Sequence, residues 1–326
     1  MTFGQDPVSP TLKRFMDLPA DPGLALLFPG QGSQKPGMGR DAHAASKAAR
    51  EVFASADRAL GFEIRRLCFE GPDRELTRTE NAQPAILITS VALLLAALES
   101  GALNRRPAFL AGHSLGEYTA LVAAGALAFE DALRLVRERG RLMAEAGRET
   151  PGTMAAIVGL REDDVLAICD ESKAEPCNFN AATQVVVGGT PEAVERACRL
   201  AKGRGGRGLP MNVAGAFHTS MLAGAAAKFT TTLDTVTANA PVLPVLSNVT
   251  GRVMTTAGQC VADLAQQIQS PVLWHHSIIT MRNAGVNRFT EFGPGKALIT
   301  MLKRDWPEAT LISLDGPAVV TSPTNV

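Results

Sequence analysis

The chain has 326 residues, of which 46% are hydrophobic and 20% charged, and its formal net charge at neutral pH is zero. This length allows a large core in two domains, or in one domain with an insertion. The balanced charge gives no reason to expect nucleic acid or a membrane surface as a partner. The five cysteines are scattered without a CxxC pair, which indicates reduced thiols and excludes a disulfide framework or a zinc site.

The N-terminal residues and the most apolar stretch indicate where in the cell the protein is located. Asp6, Pro7 and Pro10 stand where a signal peptide needs an apolar core. The longest apolar run, Ala85–Leu98, is too short to span a bilayer. We therefore expect a soluble, cytoplasmic protein without a membrane segment.

The first half of the chain alternates short apolar strands with helices. We predict a flexible leader over 1–22 and then a strand over Leu24–Phe28 that runs into a Gly/Pro turn. Helical patterns follow at 41–60 and 82–99, and a second strand, Ala108–Ala111, precedes another helix. Repeated strand–helix units are typical of an α/β layer with a parallel sheet.

The pattern changes near residue 150. Strand, helix, strand, strand, helix and strand follow one another in the segments 154–158, 162–172, 176–180, 184–188, 191–203 and 208–213. This βαββαβ order predicts a ferredoxin-like small domain inserted at 150–214. We therefore predict a large α/β domain formed by 23–149 and 215–314, followed by a flexible tail over 315–326.

Residues 112–116, Gly-His-Ser-Leu-Gly, fit the G-x-S-x-G motif between a predicted strand and a predicted helix. In that context a sharp turn exposes the oxygen of Ser114 at the sheet edge. The N–H of Leu115, at the helix start, would face a developing oxyanion. The segment also fits the helix-capping pattern S-x-x-E, but a cap does not need glycine on both sides. The motif therefore predicts a nucleophilic serine.

A serine nucleophile needs a base, and His218 is the strongest candidate among five histidines. It lies at the junction between the last small-domain strand and the next helix, and clefts form at domain junctions. The alternative is a solvated histidine near a helix N-terminus. Because no aspartate stands out as a third member, we predict a Ser–His dyad oriented by a backbone carbonyl.

Arg139 interrupts the apolar stripe of a predicted helix over 129–146. A guanidinium that faces inward is costly unless it meets an anion, and its planar fork fits a carboxylate through two hydrogen bonds. The residues alone leave three possibilities open: a bound carboxylate, an internal partner such as an aspartate, or a side chain that extends past the stripe to solvent.

Three other segments carry weaker signals. Gly30-Gln31-Gly32 follows the first strand without continuing into a phosphate-binding glycine motif, so we interpret the N–H of Gln31 as a second oxyanion donor. Gln83 and Asn180 are weaker candidates, because such amides more often cap helices or satisfy turns.

Seven segments together resemble the malonyl-CoA:acyl carrier protein transacylase family, which includes the acyltransferase domains of polyketide synthases. They occur in family order over nearly the whole chain, at 28–34, 83–85, 112–118, 139–140, 178–180, 216–218 and 292–296. Each segment is moderately specific, whereas the ordered set is highly specific.

The resemblance implies a hydrolase-like α/β domain with a ferredoxin-like insert. It implies transfer of malonyl from malonyl-CoA to the phosphopantetheine thiol of an acyl carrier protein, with no bound cofactor or metal. It makes Ser114 the acylated nucleophile and His218 its base, with the N–H groups of Gln31 and Leu115 as oxyanion hole. Arg139 becomes the clamp on the malonyl carboxylate.

The resemblance also assigns residues around the substrate. Phe217 matches the malonyl-selective form of the Ala-Phe-His stretch, whose ring limits room for an α-methyl branch, and Gln83 and Asn180 complete the predicted substrate-binding set. Carrier proteins are acidic, so one basic loop is a candidate docking patch, with a solvated loop as the alternative; its residues are Lys202, Arg204 and Arg207. We expect a monomer.

One departure from the family is Ser270, which stands where an asparagine usually precedes Pro-Val. The carbonyl that orients the histidine belongs to this segment, 270–274, so the departure puts the local hydrogen bonding in question.

Two other functions compete with malonyl transfer. An acyl hydrolase of the same fold would clear carrier proteins, but it has no need for Arg139. A catalytically silent carrier-binding module is disfavoured by the intact serine, histidine and arginine. The sequence does not separate fatty acid from polyketide synthesis.

Overall fold

The computed structural model describes residues 9–316. Its strands form one six-stranded and one four-stranded sheet. The strands are β1 (Ala20–Phe28), β2 (Arg106–Gly112), β3 (Thr153–Val158), β4 (Glu175–Ala181), β5 (Gln184–Gly189), β6 (Arg207–Pro210), β7 (Val245–Leu246), β8 (Val253–Met254), β9 (Arg288–Phe292) and β10 (Thr310–Leu314).

Helices connect these strands and cover the sheets. They are α1 (Ser9–Met16), α2 (Arg40–Ala45), α3 (Lys47–Leu60), α4 (Ile64–Glu70), α5 (Asp73–Leu76), α6 (Thr79–Ser100), α7 (Gly116–Ala123), α8 (Phe129–Glu149), α9 (Glu162–Ser172), α10 (Pro191–Gly203), α11 (Ala223–Leu233), α12 (Ala257–Gln267), α13 (Trp274–Asn283) and α14 (Ala297–Asp305). A single 3₁₀ turn, Ser220–Leu222, precedes α11.

The six-stranded sheet has the order β10-β9-β1-β2-β7-β8. Its first five strands are parallel, and β8 pairs antiparallel with β7. The predicted α/β class with a parallel sheet is therefore confirmed. Parallel pairing places Phe28 beside Gly112, so the turns that follow β1 and β2 lie at the same sheet edge.

The four-stranded sheet has the order β4-β5-β3-β6 and is antiparallel throughout. Alternate strand residues face opposite sides: Ile157 packs in a core with α9 and α10, whereas Met154 packs into the main core. Val272 ties this sheet to the rest of the protein, because its N–H and C=O bond to Cys177 (2.8 Å) and Phe179 (2.9 Å) of β4.

α6 is the central helix of the main core. It is long and apolar enough to cross a membrane, but 94% of its most apolar window is buried inside the protein. α6 is therefore apolar because it is buried in the core. The sequence argument that its apolar run is too short to span a bilayer does not apply to the whole helix. α8 crosses α6 at Gly140, where an added methyl group would lie 2.6 Å from the carbonyl oxygen of Thr79. Glycine at this position lets the two backbones approach closely.

Two predictions of local structure are wrong. The flexible leader does not extend over 9–22, because this stretch contains α1 and the start of β1, and the ring of Phe15 is fully buried. One buried aromatic ring outweighs the Pro- and Asp-rich composition. The helix predicted at 41–60 is two helices, separated at Ser46, whose side chain caps α3. Residues 1–8, and 317–326 of the predicted tail, lie outside the described residues.

Candidate active site

Ser114 lies on a sharp turn between β2 and α7, with a φ of 53°. A methyl group on Gly112 would lie 1.9 Å from the backbone of Gly116, and one on Gly116 would lie 2.0 Å from the carbonyl oxygen of Phe28. Both glycines are therefore needed for the turn to fit against the sheet. The left-handed backbone of a serine stores strain, as at many functional sites.

His218 lies directly beside this serine. Its Nε2 is 2.8 Å from Oγ of Ser114, and its Nδ1 is 2.8 Å from the carbonyl oxygen of Gln267. The structure thus brings the predicted pair together with a backbone carbonyl behind it. The nearest carbonyl belongs to Gln267, three residues before the predicted segment 270–274, and the backbone of Ser270 within that segment interacts more weakly. Gln267 ends α12, and the last carbonyls of a helix have no partner within the helix.

Burial is the main reason that the pKa of His218 falls to about 3, and the positive charge of Arg139 lowers it further. The carbonyl of Gln267 and, more weakly, the backbone of Ser270 oppose the shift. The ring is consequently neutral near neutral pH and can accept the serine proton.

Arg139 is only 1% exposed and reaches the same serine. Its Nη1 donates to Oε1 of Gln83 (2.7 Å), and its Nη2 donates to Oε1 of Gln267 (2.9 Å) and to Oγ of Ser114 (3.0 Å). It also lies over the ring of Tyr118, 5.6 Å from the centroid. Within residues 9–316 no carboxylate bonds to it, so neither the internal acidic partner nor the solvent-directed side chain is observed.

Three residues that hold this arrangement were missed by sequence reasoning: Asn248, Gln267 and Glu117. Asn248 accepts from the N–H of Ser114 (2.6 Å) and donates to the carbonyl of Gly112 (2.7 Å), so it spans the turn. Its position just after a short apolar strand was the available signal. The carboxylate of Glu117 accepts from Asn248 and Gln267, so the alternative helix-capping pattern is not formed.

The two predicted oxyanion donors lie in the loop after β1 and directly after the nucleophile. Between residues 9 and 316, the backbone N–H groups of Gln31 and Leu115 make no hydrogen bond. Gly30 lies so close to His113 that an added methyl group would be 2.5 Å from the His113 carbonyl oxygen. The loops after β1 and β2 are therefore in direct contact, as an oxyanion hole built from both requires.

The remaining predicted substrate residues lie around this centre. Asn180 on β4 places Oδ1 2.8 Å from Nε2 of His113, whose ring packs 5.6 Å from that of Trp274. Phe217 precedes the histidine and is 7% exposed. Gln83 also donates to Sδ of Met143 (3.4 Å), which orients its oxygen toward Arg139.

The predicted docking loop is exposed and separate from these contacts. Lys202, Arg204 and Arg207 are all solvent-exposed. Arg204 pairs with Glu171 and donates to the carbonyl of Asp164 (3.3 Å), so part of the positive charge is compensated. Among the described residues, no group of three or more His, Cys, Asp or Glu side chains could hold a metal ion.

A serine bonded to a neutral histidine, with two N–H groups in the adjoining loops that make no hydrogen bond within residues 9–316, supports acyl transfer through an acyl-serine. Comparison with known families points to the same class, because the model of the acyl transferase domain family matches residues 25–313. The chain belongs to this family.

Its relatives narrow the class further. The malonyl CoA-acyl carrier protein transacylase of Bacillus subtilis (strain 168) is 42% identical over 303 residues, covering 91% of this chain and 95% of the relative. The enzyme of that name from Escherichia coli (strain K12) is 41% identical over 305 residues, covering 92% and 98%.

Solved structures agree in fold. The acyl-carrier-protein S-malonyltransferase of Burkholderia pseudomallei 1710b superimposes with a TM-score of 0.86 at 41% identity, covering 91% of this chain and 97% of that one. A malonyl-transacylase structure, in complex with its type II PKS acyl-carrier protein, gives a TM-score of 0.88 at 36% identity, covering 93% and 99%.

Proposed function

We propose that this protein is an acyltransferase that moves malonyl from malonyl-CoA to the phosphopantetheine thiol of an acyl carrier protein, through a malonyl-serine at Ser114. The observation that carries the proposal is the buried Arg139, which touches the nucleophile at 3.0 Å and has only uncharged hydrogen-bond partners. Malonyl is an acyl group with a free carboxylate, which can supply the direct anionic contact that Arg139 lacks. The names of the relatives give the same substrate.

The first half-reaction forms the acyl-enzyme. Oγ of Ser114 attacks the thioester carbon while Nε2 of His218 takes its proton. The N–H groups of Gln31 and Leu115 stabilise the oxyanion, each by about 10²- to 10³-fold in rate. When the tetrahedral intermediate collapses, the C–S bond breaks and the coenzyme A thiolate takes the proton from His218.

Arg139 and its neighbours select the acyl group. The carboxylate of malonyl would replace the amide oxygens of Gln83 and Gln267 on the guanidinium, and charge-assisted bonds are about twice as strong as neutral ones. The buried ring of Phe217, next to the base, limits space at the α-carbon. Asn180 completes the wall through His113.

The second half-reaction repeats these steps with a different thiol. His218 removes the proton of the phosphopantetheine thiol, which attacks the malonyl-serine ester, and the proton then returns to Ser114. The exposed side chains of Lys202 at the end of α10, of Arg204 and of Arg207 at the start of β6 form the proposed docking patch for the acidic carrier. Phosphopantetheine arrives with that partner, so the protein needs no bound cofactor of its own, and we place it in the cytoplasm as a monomer.

The two sheets support a finer description of the fold. The order β4-β5-β3-β6 with α9 and α10 on one face matches a ferredoxin-like small domain at 150–214. The parallel sheet with a serine turn after β2 matches a hydrolase-like large domain formed by 23–149 and 215–314.

Intact-protein mass spectrometry tests the proposal. The protein is incubated separately with malonyl-CoA, acetyl-CoA and methylmalonyl-CoA, without carrier protein. We expect one malonyl adduct, absent with the other donors and absent in Ser114→Ala, and lost in Arg139→Ala, which keeps the nucleophile. Equal loading by acetyl-CoA would disprove the clamp.

Two other outcomes would favour the competing functions. Rapid release of free malonate without a stable adduct would identify an acyl hydrolase. No adduct and no turnover would identify a silent carrier-binding module. Turnover with carriers of fatty acid and of polyketide synthesis, compared side by side, assigns the pathway.

A further inference from the structure

The mechanism above does not use two buried carboxyl groups behind the nucleophile. Glu117 on α7 is fully buried, and Asp263 on α12 is 6% exposed. Three consecutive residues join them: Glu117 accepts from the backbone N–H of Asn248, and Asp263 accepts from Ser247 and Val249 on either side of it. Each carboxyl group raises or lowers the pKa of the other. Two carboxylates in contact in a low-dielectric interior cannot both be ionised.

The hydrogen bonds around the pair show where a proton is required. Both oxygens of Glu117 accept from amide groups, those of Asn248 (3.0 Å) and Gln267. Oδ1 of Asp263 accepts from the hydroxyl of Ser247. Oδ2 of Asp263 is buried and has no donor within residues 9–316. A proton held between the two carboxyl groups satisfies this atom.

Glu117 controls the orientation of two amides that touch the reacting groups. Because Nε2 of Gln267 donates to Glu117 and to the carbonyl of Ser114 (2.9 Å), its Oε1 must face Arg139. Because the N–H of Asn248 donates to Glu117, its side chain is placed against the N–H of Ser114. Glu117 therefore supports both the nucleophile and the clamp.

The pair also sets the charge of the interior. Burial raises the pKa of Glu117 well above its usual range, with Asp263 as the next cause, and burial raises the pKa of Asp263 as well. The other titratable groups that face the pair are Tyr118, Arg139 and Cys260. Tyr118 and Cys260 are neutral, so one shared negative charge balances the one guanidinium.

We propose that Glu117 and Asp263 share one proton and act as a positioning pair, whose single negative charge stabilises Arg139 without touching it. A carboxylate in direct contact would compete with the malonyl carboxylate for the guanidinium fork. At one residue's remove, through the neutral amide of Gln267, the charge compensates the cation and leaves the fork open for substrate. This deepens the proposed malonyl transfer and rests on it for the clamp.

Infrared spectroscopy tests the shared proton independently of activity. At about pH 8, where free carboxyl groups are ionised, we expect one protonated carboxyl band that shifts in D₂O. The band should disappear in Asp263→Asn and in Glu117→Gln, since either amide removes the need to share. Absence of the band in the unaltered protein overturns the shared proton, even if malonyl-serine forms normally.

Kinetics of malonyl-serine formation test the positioning role. Asp263→Asn keeps one negative charge and a donor to Glu117, so its rate should stay within about threefold of the unaltered protein. In Glu117→Gln, the new amide NH₂ would face the Nε2 donor of Gln267 in place of an accepting oxygen. The kcat of this variant should fall about 10- to 100-fold. Gln83→Glu puts a carboxylate directly on Arg139 and should raise the KM for malonyl-CoA about tenfold with little change in kcat.

Particular results would overturn the proposal. One is a Glu117→Gln protein that has the same unfolding temperature as the unaltered protein and forms malonyl-serine at the same rate. Another is an Asp263→Asn protein as impaired as Glu117→Gln. If Glu117→Gln does not fold, the infrared band, the Asp263→Asn rate and the Gln83→Glu KM decide. Failure of the unaltered protein to form any malonyl-serine would instead refute the proposed function, while leaving the infrared result valid.

Discussion

The two sheets of this protein contribute to the site in different ways, and one asparagine on each shows how. Asn248 follows β7 of the parallel sheet and bonds to the backbone of the nucleophile Ser114 and of Gly112, two residues before it. Asn180 lies within β4 of the antiparallel sheet, and within residues 9–316 its side chain bonds only to the side chain of His113. Parallel strands bring several carboxyl ends to one edge, whereas antiparallel strands send alternate ends apart.

This difference suggests a division of labour. The six-stranded sheet fixes the backbone of the nucleophile, while the four-stranded sheet contributes Asn180 to the proposed wall around the substrate. His218 belongs to neither sheet, since it follows β6 on the connecting segment and is held by the end of α12. Changes at the parallel edge should therefore impair chemistry more than equivalent changes in the wall.

Asn248→Ala should have the largest effect. It leaves the N–H of Ser114 and the carbonyl of Gly112 without partners, and each buried unsatisfied group costs about 1–3 kcal/mol. We expect malonyl-serine formation to slow by about 100-fold, measured by rapid-quench mass spectrometry. A rate within a fewfold of the unaltered protein would contradict the division proposed above.

Gly140→Ala should come next, because it separates α8 from α6. The added methyl group would lie 2.6 Å from the carbonyl oxygen of Thr79, which moves Arg139 away from Gln83. We expect a loss of stability of about 1–3 kcal/mol and a KM for malonyl-CoA raised about tenfold.

Gly224→Ala in α11 is the matched control for this change. Nothing lies within 4 Å of its added methyl group. Thermal unfolding should therefore show a gain of about 0.5–1 kcal/mol from helix propensity, with an unchanged KM. Equal losses in both variants would show that the helix crossing does not set the clamp.

Asn180→Ala tests the wall and should cost less. It removes one neutral hydrogen bond, worth about 0.5–1.5 kcal/mol, from a residue that does not touch Ser114. Acylation should slow by about three- to tenfold. A decrease in acylation rate as large as that of Asn248→Ala would show that both sheets contribute equally to the chemistry.

The smallest effect concerns pH. The pKa of His218 is lowered to about 3, first by burial and then by Arg139. At limiting malonyl-CoA, the acylation rate should therefore show no decrease near pH 6.5, the usual pKa of a histidine being about 6.5. A bound malonyl carboxylate neutralises the charge of Arg139 and so raises the pKa of His218. The acid limb at saturating malonyl-CoA should therefore lie at higher pH than the limb at limiting malonyl-CoA. If the acid limbs at limiting and saturating malonyl-CoA coincide, the charge of Arg139 does not affect the pKa of His218.

The same pKa predicts how acid affects stability. The folded-state pKa of about 3 lies below the unfolded value near 6.5, so the unfolded chain binds the additional proton. The stability contributed by the neutral ring is present above about pH 6.5 and is lost as the pH falls toward 3. Denaturant titrations of His218→Ala should show a weaker acid dependence than the unaltered protein.

The sequence by itself determined the serine turn, the alternating strands and helices, and the place of Arg139 on the apolar stripe of its helix. These depend on local rules: glycine spacing around Ser114, periodicity along one helix, and turn residues between apolar runs. It also identified His218 from its place at a junction.

Only the tertiary structure decided what surrounds those residues. Ser114 and Gln267 are 153 positions apart, and Glu117 reaches Gln267 and Asn248 across separate elements. No local pattern marks such amides, because their role depends on which neighbours fill the space beside them. The same reason explains the missed α1, whose short, polar sequence places the ring of Phe15 in a core that only the folded protein provides.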